Sequence, residues 1–177
     1  MKLPIFLFNC ILFFTLSFLS IGYSQTCKST SAPPSTPDVQ LINNHDGTVS
    51  DRTTGLMWKK CVEGMSGTNC ENGTESRVNW QEALATVSTV NDMSFAGYTD
   101  WRLPNIKELV SITERQCYDP ALNLHFFPNG PSRAVWSSTP EAQHDDFAGL
   151  IDFKAGTQRF LNRQSGNYLV RLVRGGL

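Results

Sequence analysis

The sequence predicts an α+β domain that is rich in loops and stapled by disulfides. Three observations lead to this prediction. Two segments with helix-capping signals and apolar stripes lie in the first two thirds of the chain. Strand-like segments follow them, and a glycine-containing turn between two of these indicates an antiparallel hairpin. An even number of cysteines follows the apolar N-terminal stretch, which is typical of exported, disulfide-bonded domains.

The first 24 residues have the composition of a secretory signal peptide. Lys2 is followed by an almost entirely apolar run over residues 3–21, and the small residues Gly22 and Ser24 offer a cleavage site. A retained membrane anchor is the alternative, because the run approaches the ~20 residues that span a bilayer. A lipid anchor attached to Cys27 is a second, weaker alternative. We expect export, to the medium, the bacterial cell surface or outer membrane, or the periplasm.

Composition divides the remaining chain into two parts. Residues 25–38 are rich in Ser, Thr and Pro and are predicted to form a solvated linker. Residues 39–177 are long enough to form one domain with its own core. Without Lys2 the chain has 14 basic and 16 acidic residues, a balance that gives no indication of a nucleic-acid partner.

Four cysteines remain after the signal, and four cysteines allow three pairings. A loop rich in Gly, Ser and Asn separates Cys61 from Cys70 and could close easily, which favours Cys61–Cys70 and leaves Cys27–Cys117. The alternative is a zinc site, but its ligands normally include a CxxC-like pair, which this sequence lacks.

Periodicity predicts two helices, and both have an Asn followed three residues later by a Glu, the spacing of a capping box. They cover residues 79–90 and 105 to about 114. Short strands are predicted before the first helix, and longer ones after the second. The early strands cover 39–42, 48–49 and 56–58; the late ones cover 134–137, 147–153, 157–161 and 168–173. Helices near the front and a late antiparallel sheet favour the α+β class.

The segment 97–109, in which Trp101-Arg102-Leu103-Pro104 runs into the second helix, resembles the C-terminal domain family of the Legionella collagen-like adhesin. Three further segments, 46–58, 135–139 and 170–176, occur in the family's order. More distantly, the Trp-Arg-Leu-Pro run is similar to formylglycine-generating-enzyme-like domains. This resemblance implies a single domain with a C-type-lectin-like fold.

The resemblance also implies a function. The adhesin's domain binds sulfated glycosaminoglycans and forms a trimer, so we expect an exported, non-enzymatic binding module for sulfated glycans or matrix components, and a homo-oligomer. Unlike that adhesin, this chain has no collagen-like Gly-X-Y tract. A structural or assembly module of a cell-envelope complex is the alternative function.

The candidate ligand-binding residues are the cations near the C-terminus, where no acid occurs from residue 154 onward. Arginine suits sulfate because its planar fork donates parallel hydrogen bonds, and a local basic patch attracts polyanions whatever the net charge. Internal pairing with Asp152 or Glu108, or an ordinary basic face, is the alternative. The predicted set is Lys154, Arg159, Arg163, Arg171 and Arg174.

No motif in the sequence predicts catalysis. The formylglycine-generating enzymes hold copper with two cysteines, but Cys117 is the last cysteine here, so the final third of the chain has none. The three histidines lie in separate segments. We therefore expect neither an enzyme nor a resident cofactor or metal. One alternative stays open, a Ca²⁺ ion held by the acidic residues near position 145. These residues are Glu141, Asp145, Asp146 and Asp152, and His144 lies among them in the sequence.

Overall fold

The computed structural model describes residues 25–28, 30 and 32–175. The predicted signal peptide, residues 1–24, lies outside the described residues. Within the described part, none of the helices is both long and apolar enough to traverse a bilayer.

The described chain has two α-helices, α1 (Trp80–Asp92) and α2 (Ile106–Ser111). Its strands are short and are distributed along the whole chain. They are β1 (Thr26–Cys27), β2 (Leu41–Asn43), β3 (Thr48–Asp51), β4 (Leu56–Lys59), β5 (Met65–Ser66), β6 (Asn72–Gly73), β7 (Arg77–Val78), β8 (Cys117–Tyr118), β9 (Ala134–Pro140), β10 (Phe147–Asp152), β11 (Thr157–Asn162), β12 (Tyr168–Leu169) and β13 (Val173–Gly175).

The strands form two main sheets. One has five strands in the order β11-β10-β9-β12-β7, antiparallel except for the β9–β12 pair. The other has four antiparallel strands in the order β13-β4-β3-β2. Helix α2 packs against β9 and β10. The α+β class predicted from the sequence is therefore confirmed.

Both helices begin with the capping boxes that the sequence predicts. At α1 the Asn79 side chain accepts from the Glu82 backbone N–H at 2.9 Å, and the Glu82 carboxylate accepts from the Asn79 N–H at 2.9 Å. Asn105 and Glu108 repeat the pattern at α2. Helix α2 ends earlier than predicted, at Ser111. The Thr113 N–H still donates to the Val110 carbonyl, but the Glu114 N–H donates to the Ala121 carbonyl, outside the helix, at 3.0 Å.

Arg102 of the Trp-Arg-Leu-Pro segment is a scaffold residue. Its guanidinium donates to both carboxylate oxygens of Glu108, at 2.8 and 2.7 Å, and to the Gly175 carbonyl at 2.9 Å. Burial opposes ionisation of Glu108, but the hydrogen bonds from Arg102 and Asn105 outweigh it and lower the pKa of Glu108. The segment thus ties the start of α2 to β13.

The predicted hairpin turn at 155–156 joins β10 to β11, and it requires glycine. Gly156 has φ +68°, and a methyl group there would lie 2.7 Å from Thr113 Cγ2. A side chain at this position would therefore combine backbone strain with a clash.

The predicted strand over 168–173 is wrong as a single element. The structure divides it into β12, in the five-stranded sheet, and β13, in the four-stranded sheet. The residues between them are all buried, so the side chains on both sides of the chain face protein. Leu169 and Val173 belong to one core cluster, and Val170 and Leu172 belong to the other. The segment therefore connects the two halves of the core.

Three of the four tryptophans fill core volume, as aromatic residues in apolar segments often do. Trp58, Trp101 and Trp136 are at most 1% exposed. Trp80 is only half-buried, and its indole N–H donates to the Ser137 carbonyl at 2.8 Å. It is the one tryptophan of the described chain that is not fully buried.

The structure contains both predicted disulfides, Cys27–Cys117 and Cys61–Cys70. The first links β1 to β8, which also pair as strands. The second closes the loop that contains β5, and its two cysteines are nine positions apart in the sequence. Each disulfide thus fixes a segment that has little regular structure of its own.

The predicted linker is not free of the domain. Thr36 is 1% exposed, and both its backbone N–H and its hydroxyl donate to the Glu114 carboxylate, at 2.9 and 2.8 Å. The backbone N–H of Ser35 donates to the same carboxylate at 3.0 Å. We call residues 32–36 the N-terminal strap. Short polar side chains, which predict a linker by composition, here serve as hydrogen-bond partners of a buried acid.

Candidate functional site

The five predicted ligand-binding cations do not share one surface. The structure distributes them over four places: the core, an ion pair with Asp100, a groove at the start of α1, and a cleft at the C-terminal end of β10. The expectation of a single C-terminal basic patch is therefore not met. Arg171 and Arg174 follow the crossing from one sheet to the other after β12, and Arg163 lies at the opposite end of β10 from Lys154.

Arg171 lies in the core and cannot reach a surface ligand. It is 1% exposed, and its Nη1 donates to the carbonyls of Lys59, at 2.9 Å, and Lys60. Its guanidinium lies over the Phe127 ring, 4.7 Å from the centroid. Burial lowers the pKa of Arg171 to about 9, so the group still carries its charge at neutral pH.

Arg174 is occupied by an internal ion pair. Its Nε donates to Asp100 at 2.6 Å and its Nη2 at 3.1 Å, while the guanidinium covers the Tyr98 ring at 3.7 Å. The hydrogen bond from Arg174 lowers the pKa of the Asp100 carboxyl. The partner is neither of the acids considered from the sequence, Asp152 and Glu108.

Lys154 and Arg159 do meet other cations. Lys154 lines a surface cavity of about 270 Å³ together with Arg77 and Arg133. Arg159 reaches it through its ion pair with the lining residue Asp152, at 3.4 Å. We call these four cations and the space between them the basic cleft.

Two carboxylates lie beside these four cations. Glu75 lies 3.2 Å from Arg77 and 3.3 Å from Arg133, and Asp152 pairs with Arg159. The cleft therefore has two positive charges in excess. The arginine side chains keep 42, 47 and 59% of their surface exposed, so these pairs lie in water and contribute little to stability. An anionic ligand can replace either carboxylate as a partner.

The sequence does not predict that Arg77 and Arg133 belong to the basic cleft, because strand pairing, not sequence proximity, brings them there. The β7–β12 pair places Arg77 opposite Leu169, and the β9–β10 pair places Ala134, next to Arg133, opposite Asp152. The sequence shows no local motif around either arginine. Only the sheet order could have predicted this arrangement.

The acidic residues considered for calcium do not converge on one point. Asp146 precedes β10 and accepts from the Asn162 amide at 2.8 Å, whereas Asp152 ends the same strand and faces Arg159. Within the described ranges, no cluster of three or more His, Cys, Asp or Glu side chains is arranged to hold a metal ion.

Comparison with known families identifies the domain. Residues 47–174 match the model of the Lcl C-terminal domain. The chain belongs to the Lcl C-terminal domain family. This membership confirms the resemblance to the collagen-like adhesin, and it covers every residue of the basic cleft. No curated protein matches the chain.

The matched Lcl C-terminal domain begins after the N-terminal strap and the Cys27 half of the first disulfide. The strap therefore lies outside the part that the family defines. An Lcl C-terminal domain is an adhesin-associated module, and the two disulfides are consistent with an exported protein.

Proposed function

We propose that this Lcl C-terminal domain protein is an exported, non-enzymatic surface module that binds sulfated glycosaminoglycans or other polyanions of host cells and matrix. Its binding site is the basic cleft. The observation that supports this proposal is the convergence of four cations from separate segments of the chain, beside only two carboxylates.

The chemistry of the cleft suits sulfate. Each guanidinium offers parallel N–H donors that match two sulfate oxygens, and charge-assisted bonds of this kind are the stronger ones in proteins. Lys154 adds a mobile point charge at the rim. These groups supply charge and hydrogen-bond donors, which hold an anion without breaking a bond in it. Modest affinity per site would be multiplied along a repeating polymer, and further in a trimer of the kind that the resemblance implies.

Removing two cleft cations should weaken binding to immobilised heparin. We expect the double variant Arg133→Ala/Lys154→Ala to bind at least about tenfold more weakly than wild type, a loss of ~1.4 kcal/mol, because two charge-assisted contacts are lost. Binding is measured by titration at several salt concentrations, and the affinity of the wild type should fall as salt rises, since exposed charges are screened.

A matched control distinguishes loss of the cleft contacts from the effect of a lower net charge. Arg52→Ala/Lys107→Ala removes the same two charges from exposed positions elsewhere and should leave heparin affinity close to wild type. Equal losses in both double variants would overturn the assignment to the cleft. Absence of heparin binding by the wild type, together with a co-purifying envelope protein, would favour the structural module instead.

A further inference from the structure

We propose a second ligand site, a groove that takes a neutral sugar residue through ring packing and hydroxyl hydrogen bonds. The groove is a cavity of about 450 Å³. It lies between the start of α1, the residues just before β10 and the residues just after β11. We call it the Trp80 groove. Its lining includes Trp80, Gln81, Asp145, Asp146, Arg163 and Gln164.

The walls of the groove are fixed by backbone hydrogen bonds. The Trp80 N–H donates to the Arg163 carbonyl at 3.0 Å, and the Arg163 N–H donates to the Asp146 carbonyl at 2.8 Å. Three separate segments are therefore held together by the backbone of the protein itself. A pre-formed site loses less conformational entropy on binding than one that must be assembled.

The floor combines the exposed part of an indole with a guanidinium. Trp80 is half-buried, and the Arg163 guanidinium lies over its ring, with Cζ 4.4 Å from the centroid. Arg163 is held there because its Nε donates to the Phe147 carbonyl at 3.1 Å. Because the guanidinium lies over one ring face and Trp80 also packs against the apolar core, the surface available to the C–H face of a pyranose is the Arg163 guanidinium and the exposed part of the indole beside it.

The rim offers the matching polar groups. A sugar hydroxyl both donates and accepts, so neighbouring hydroxyls pair best with an acceptor beside a donor. Asp145 supplies carboxylate acceptors, Gln81 and Gln164 supply both kinds of group, and all three side chains are exposed. The Nη groups of Arg163 have no hydrogen-bond partner among the described residues and supply donors.

Charge distinguishes this groove from the basic cleft. Two carboxylates lie beside one guanidinium, which leaves one negative charge in excess and disfavours a polyanion.

The two sites lie at opposite ends of β10, which spans about 17 Å at the usual rise per residue. A glycan chain with sulfated and neutral residues could reach both, but each site can be tested without the other.

Trp80 itself reports on occupancy, because the other three tryptophans are at most 1% exposed. Acrylamide should quench Trp80 selectively in the full mature chain. The probes are glucose, galactose, mannose, fucose, N-acetylglucosamine and N-acetylgalactosamine at millimolar concentrations. We expect at least one of them to reduce quenching in a saturable way and to shift the Trp80 indole N–H resonance.

Variants then test the groove. Asp145→Ala/Gln164→Ala should raise the apparent Kd of that sugar at least about tenfold, the effect of losing one charge-assisted hydrogen bond. The control Asp92→Ala/Gln158→Ala removes the same groups from exposed positions elsewhere and should leave the Kd unchanged. Protection of Trp80 by none of the six sugars, or by heparin instead, would overturn the proposal. Equal effects of the two double variants would also overturn it. None of these outcomes bears on the basic cleft.

Discussion

Arg171→Ala is expected to lower the free energy of unfolding by about 4 kcal/mol, the largest effect of any single arginine substitution proposed for this domain. The side chain is 1% exposed, so its removal leaves a cavity beside Phe127. The carbonyls of Lys59 and Lys60 also lose their guanidinium donor. Both costs arise in the segment that connects the two halves of the core.

Chemical denaturation followed by tryptophan fluorescence measures this loss, with Arg174→Ala as the matched control. Arg174 lies three residues further along and pairs with the exposed Asp100, so its substitution should cost at most about 1 kcal/mol. Arg171→Met retains much of the volume but not the donors, and should fall between the two. Equal stabilities for the two alanine variants would contradict a core role for Arg171.

The same series separates stability from binding. Arg171→Met, where folded, should retain wild-type affinity for heparin because the guanidinium has no path to the surface. A folded Arg171→Met protein with lost heparin binding would instead support the C-terminal patch that the sequence predicted.

The features that local chemistry determines could be predicted from the sequence. The Asn–Glu spacings at 79–82 and 105–108 specify two capped helix starts, because each box is made within four residues. The Gly-rich loop between Cys61 and Cys70 favours its own closure, and that choice leaves one partner for Cys27. Membership of the family followed from contiguous motifs in the same way.

The features that depend on distant pairing could not be predicted. A count of cations cannot separate Arg171, enclosed between buried Val170 and Leu172, from the exposed Arg159. The apolar neighbours of Arg171 were the available signal of burial. Arg133 carries no such signal, because only the β9–β10 register places it in the basic cleft.

Glu114→Gln is expected to lower the free energy of unfolding by about 3 kcal/mol at pH 7, through loss of the N-terminal strap. The carboxylate is 4% exposed and accepts from the backbone N–H groups of Ser35, Thr36 and Gln116, and from the hydroxyls of Ser35 and Thr36. A neutral amide has one acceptor oxygen and two donors, so it cannot satisfy these five donors.

The effect should depend on pH with a defined sign. Burial opposes ionisation of Glu114, but the hydrogen bonds from Ser35, Gln116 and Thr36 outweigh it and lower its pKa below the ordinary 4.5. A carboxyl whose pKa is lower in the folded state contributes its full stabilisation above pH 4.5, and loses it as the pH falls through the folded value. The difference between wild type and Glu114→Gln should therefore be largest at neutral pH and shrink below pH 4.5.

Denaturant unfolding at a series of pH values measures this difference, and limited proteolysis of residues 32–36 reports on the strap directly. Glu141→Gln is the control, since its carboxylate accepts no hydrogen bond from the described residues and its substitution should leave both readouts near wild type. A Glu114→Gln penalty that stays constant from neutral to acid pH would contradict the ionised carboxylate as the anchor. Unchanged proteolysis of the strap would show that the Cys27–Cys117 disulfide alone holds it in place.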